Sequence, residues 1–203
     1  ITRCLAKAID HDMTEGHELA KLLMQRNELM VRRAMADVLT RLFRRLGNDA
    51  LPFYYQLRDD SDSDILAAVS TTSADLRFLD ADMWAENLVE LSNHELPVVR
   101  RNLVPSLREY FETFPDDTRK LLPVMWQDGD EVVRTRMREL LIKMSDISSP
   151  QFGARITDLN QHGCDVSALW QLMDARRKGS SEAWKSWLSG EGEMPETIET
   201  MRH

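Results

Sequence analysis

A period of 34 residues runs through this chain. The dipeptide Val-Arg occurs at Val31-Arg32, Val99-Arg100 and Val133-Arg134, two of them 34 residues apart and two of them 68. The missing copy falls on Ile65-Leu66, where the apolar half survives. A second column is apolar in every copy: Leu23, Leu57, Leu91, Met125 and Leu159. Repetition at this interval predicts stacked supersecondary units, each contacting mainly its neighbours.

Within each period the apolar residues fall at helical spacing. First helices are expected at about 14–25, 49–57, 81–91, 117–126 and 151–160. Their inward column is Ala20, Tyr54, Leu88, Leu122 and Ile156, three residues before the Leu/Met column, so both lie on one helical face. Second helices begin at Val-Arg. Their columns are Val31/Ile65/Val99/Val133, Met35/Val69/Leu103/Met137 and Leu42/Leu76/Tyr110/Met144, again one face. Breakers separate the units: Gly47-Asn48, Phe114-Pro115-Asp116 and Ser148-Ser149-Pro150. Pro105 and Pro123 stand inside expected helices and are candidate kinks. No period-two alternation predicts a strand.

The predicted fold is therefore all-α: a right-handed α-α solenoid of about four and a half repeats forming one domain over 1–203. Residues 1–12 are a half repeat or N-terminal cap, because Ile1, Leu5 and Ala8 fall on second-helix columns. Four repeats fill 13–147. A degenerate repeat and C-terminal cap fill 148–189, with helices at 166–177 and 181–188, the latter carrying Trp184 and Trp187. A polar, loose tail is expected over 190–203. The register reaching back to Ile1 leads us to expect one stretch of a longer solenoid.

The helix pair, the acidic turn and the Val-Arg that opens the second helix resemble HEAT repeats, most clearly in Asp128–Arg134 and Glu95–Arg100. The resemblance covers about 14–147. It implies that Arg32, Arg100 and Arg134, with Asp60, Asp128 and Asp130, are structural and bond between neighbouring repeats; Leu66 breaks that ladder. The period also suits tetratricopeptide repeats, but the small-residue columns they need read Met24, Arg58, Ser92, Trp126, Asn160 and Ala34, Ala68, Asn102, Arg136.

Charge is unevenly distributed. Net charge is −8, which disfavours a generic polyanion binder. Yet Val31–Leu46 is net +4 and Val133–Met144 net +3, while Asp80–Glu95 is net −5. Second helices usually line the concave side of a HEAT-like array. Arg33, Arg41, Arg45, Arg101, Arg108, Arg136 and Lys143 are therefore the expected partner-binding residues, pairing with an acidic protein surface. Nucleic-acid phosphates are the alternative partner. Within that alternative, Val99-Arg100-Arg101 resembles the DNA-alkylation-repair glycosylases, which also need an aromatic cleft with a carboxylate; Trp126 with Asp130 is a Trp–Asp pair at helical spacing.

Other chemistry finds little footing. Asp60-x-Asp62-x-Asp64 starts like a calcium loop, but its sixth and twelfth positions are Ile65 and Thr71, so the acids are read as helix caps. His17-Glu18 lacks the second histidine of a zinc HExxH motif, that place being Lys21. There is no phosphate-binding glycine motif, and Cys4 and Cys164 form no CxxC. The expectation is a non-enzymatic binding scaffold with no catalytic residue, cofactor, metal, membrane segment or small-molecule substrate, in the cytoplasm or, in a eukaryote, the nucleus.

Overall fold

The computed structural model describes residues 2–197. Every regular element among them is helical. In chain order these are α1 (Thr2–His11), α2 (Met13–Met24), α3 (Leu29–Leu46), α4 (Leu51–Arg58), α5 (Ser63–Thr72), α6 (Ala81–Ser92) and α7 (Pro97–Thr113). Then come α8 (Thr118–Trp126), α9 (Glu131–Ile147), α10 (Ser149–Gln161), α11 (Ser167–Arg176) and α12 (Ser180–Leu188). Two 3-10 segments, Gly47–Ala50 and Ser73–Phe78, precede α4 and follow α5. No described helix is long and apolar enough to cross a membrane. The chain forms two compact units, 1–103 and 104–203, where the sequence predicts one domain.

The helices start where the side chains satisfy the exposed N–H groups of a first turn. Asp12, Asp62, Asp80 and Asp130 cap α2, α5, α6 and α9 by accepting from backbone amides two or three residues on. Asp62 thus serves as the cap that its place in the acidic turn suggested. Pro52 and Pro150 stand in the first turns of α4 and α10, where a missing N–H removes no bond. Pro105 and Pro123 lie within α7 and α8, which continue past them.

The second helix of the second pair departs from expectation. In place of one long helix, α5 stops at Thr72 and continues as a 3-10 segment. The cause is the run Ser70–Ser73. Its four hydroxyls bond back to the carbonyls of Ala67, Ala68 and Ser70, in competition with the helical ladder.

In the first unit α1 packs on α2 and α3, α3 on α4 and α5, and α6 on the 3-10 segment after α5. In the second, α9 packs on α8, α10 and α11, α8 on α10, and α11 on α12. Like-ranked helices of successive pairs therefore touch, as α3 does α5, α8 does α10, and α9 does α11. Every residue of the second-helix columns is buried, and so are Ala20, Tyr54, Leu88, Leu122 and Ile156. Leu23 is the exception in its column: it is half-exposed, and Met24 is buried in its place.

The C-terminal region closes the second unit. Phe152 packs edge-on against Trp184 at 4.6 Å between ring centroids, and Trp184 in turn against Trp187 at 5.7 Å. The segment 190–197 is not a loose tail. Ser149 Oγ donates to the Pro195 carbonyl, Met194 lies over Gly153 and Thr197 is buried. The absence of a side chain at Gly153 makes the room: a Cβ there would stand 2.8 Å from Trp187 and 3.3 Å from Met194. Residues 198–203 of the predicted tail, and Ile1 of the predicted cap, lie outside the described residues.

Candidate partner-binding groove

Three of the seven basic residues singled out from sequence come together in the second unit. Arg108, on α7, and Arg136 and Lys143, on α9, line one open groove of about 490 Å³. Val104, Pro105, Leu140 and Glu139 complete it. On α9 the lining residues are Arg136, Glu139, Leu140 and Lys143, at i, i+3, i+4 and i+7, so one helical face supplies them all. On α7 the groove follows Pro105, which has no N–H to give the helix and leaves its own ring exposed. The result is an apolar strip bordered by three cations and one carboxylate. Arg108 also holds Glu112 at 2.9 Å, an exposed pair of the kind that yields readily to a competing acid.

The remaining candidates belong to the first unit. Arg33 makes ion pairs with Asp62 and Asp64, both at 2.8 Å. Arg41 and Arg45 converge on Asp10 of α1, at 3.0 and 3.6 Å. Arg101 is half-buried on α7 and takes no part in the groove lining.

The repeated arginines share one local role. Arg32 donates to the carbonyl of Asn27, Arg100 to those of His94 and Glu95, and Arg134 to that of Asp128. Each therefore reaches back five or six residues and closes the turn between the two helices of its own pair. Arg32 also crosses to the next pair, its Nε donating to Asp60 at 2.6 Å. Asp128 and Asp130 shape the turn before α9, Asp128 accepting from the amide of Asp130 and Asp130 capping the helix. Burial opposes ionisation of Asp60, but the bond from Arg32 and the amide of Asp62 outweigh it and hold the carboxyl below its ordinary range. The bond from Arg33 does the same for Asp62. Glu131 is lowered chiefly by Arg134.

The residues considered for base excision do other work. Trp126 is buried, its indole N–H donating to the Asp165 carbonyl at 2.9 Å, and Asp130 is the cap of α9. Trp84 and Trp170 are also buried. Burial raises the Cys164 thiol above its usual range, which further disfavours the reactive thiolate. Among the described residues, no group of three or more His, Cys, Asp or Glu is placed to hold a metal ion.

Sequence reasoning missed the apolar half of the groove. The i, i+3, i+4, i+7 set on α9 was legible, but Leu140 reads there as one more packing residue. Val104 and Pro105 give no sign in sequence of which helix faces them. No protein-family model, curated protein or solved structure matches the chain.

Proposed function

We propose that this chain is a HEAT-like, right-handed α-solenoid module of about four and a half repeats that binds another protein and catalyses no reaction. The groove between α7 and α9 receives an acidic, amphipathic segment of the partner. The carrying observation is the joining of Arg108, Arg136 and Lys143 around the apolar strip of Val104, Pro105 and Leu140. Acids of the partner pair with the rim, and one apolar side chain enters the strip. Because both helices are fixed by buried columns, little ordering entropy opposes binding. The like-ranked helix contacts and the turn-closing arginines support the repeat reading.

The test is titration of the whole chain with a fluorescent acidic amphipathic peptide, a basic peptide with the same apolar residues, and a short DNA duplex, at about 150 mM salt. The acidic peptide is expected to bind, and the double variant Arg136→Glu, Lys143→Glu to weaken it by roughly tenfold or more. Stronger binding of duplex DNA, with a steep salt slope lost in the same variant, overturns the protein-partner assignment in favour of nucleic acid.

A further inference from the structure

The second unit holds a second cleft, of about 400 Å³, between α8, α10 and the segment 190–197 that follows α12. Its walls include Pro115, Trp187 and Met194, and its polar side Arg119, Arg155 and Asp158. That volume lies within the range of about 300–1,000 Å³ usual for small-molecule sites. We propose that this cleft binds a small organic monocarboxylate with an aromatic or otherwise apolar body.

The charges make the case. Asp158 is buried and serves two guanidinium groups at once, Arg119 Nε at 3.3 Å and Arg155 Nε at 3.4 Å. Both distances exceed those of well-formed charge-assisted bonds, about 2.7–2.9 Å. Arg155 is buried, and its Nη1 donates to Thr118 Oγ1 at 2.5 Å, yet its Nε has no hydrogen-bond partner. Buried donors are seldom left so. Burial lowers the pKa of Arg155; Asp158 opposes that shift, and Arg119 adds a smaller lowering of its own. Arg119, by contrast, is largely exposed.

A carboxylate entering the cleft takes Arg119 as its partner. Asp158 then turns wholly to Arg155, and its 3.4 Å ion pair with Nε shortens into the hydrogen bond that this atom lacks. The apolar body of the ligand lies along Trp187 and Met194. Asp116, also in the lining, adds a negative charge that disfavours a dianion. This inference stands apart from the groove, which shares no lining residue with the cleft.

The test uses the ¹⁵N-labelled whole chain with phenylacetate, 2-phenylethanol and phenyl phosphate as probes, following the Trp187 indole and Arg155 Nε–H signals by NMR. Phenylacetate is expected to shift both saturably below about 10 mM. The neutral alcohol should bind about tenfold more weakly, as should phenylacetate to Arg119→Gln, each having lost a charge-assisted bond. Arg119 is exposed, so that variant folds; Lys143→Glu, in the groove, should leave the shifts unchanged. Equal binding of the alcohol, no saturable shift, or full affinity in Arg119→Gln overturns the site. Tighter binding of phenyl phosphate overturns the monocarboxylate assignment.

Discussion

Arg32 Nε donates to Asp60 Oδ2 at 2.6 Å, joining the start of α3 to the turn before α5 across 28 residues. The Asp60 side chain is only 7% exposed there and that of Arg32 28%. The same guanidinium closes its own turn through the Asn27 carbonyl, so one side chain ties two successive helix pairs. Arg32→Gln and Asp60→Asn should each destabilise the chain by about 1–3 kcal/mol, since each leaves a partner desolvated and unmatched. Urea unfolding of the singles and the double checks this; additive losses would exclude a direct coupling between the two residues.

The same carboxyl makes stability depend on pH. Its pKa is lowered on folding, so the contribution is complete above the unfolded value of about 3.9 and is lost as pH falls through the folded one. Asp60→Asn should therefore be less stable than the parent at neutral pH, and the gap should narrow on acidification below about pH 4. Melting temperatures across that range measure the gap.

Gly16 sets how closely α1 and α2 approach. A Cβ added there would lie 2.6 Å from Ile9 Cα and 2.9 Å from Ile9 N, and backbone cannot swing aside as a side-chain end can. Gly16→Ala should cost about 1–3 kcal/mol. Hydrogen exchange should speed up in α1 first. Gly129→Ala, which meets no atom within 4 Å, is the neutral control.

Removing 190–203 should destabilise the second unit, because Met194 covers Gly153 and the Pro195 carbonyl accepts from Ser149. We expect a loss of about 1–2 kcal/mol and a red shift of tryptophan emission as Trp187 becomes exposed. An unchanged melting temperature and spectrum would show that the segment does not hold.

Helix positions were largely legible because burial of one face imposes a period on the sequence, and that period survives where identity does not. Tyr54, Leu88 and Leu122 differ in shape yet occupy one fully buried column. The break at Thr72 was less visible. It arises from hydroxyl groups bonding back to the local chain, while the apolar pattern runs on unbroken to Leu76. Of the seven basic candidates, the sequence could give the helical face of each but not its neighbours. Arg33 and Lys143 look alike there, but the structure sets Arg33 beside Asp62 and Asp64 and places Lys143 in the groove lining.

The sequence by itself determined that the chain is helical, where its helix pairs begin and turn, and which columns are buried. These follow from interactions within a few residues and from a repeated apolar spacing. Only the tertiary structure decided what the polar residues do. Nothing local marks Arg119 as a partner of Asp158, Pro195 as the acceptor for Ser149, or Val104 and Leu140 as walls of one groove. The physical reason is that a charge or an exposed apolar side chain takes its role from whichever groups packing brings beside it, often more than 30 residues away.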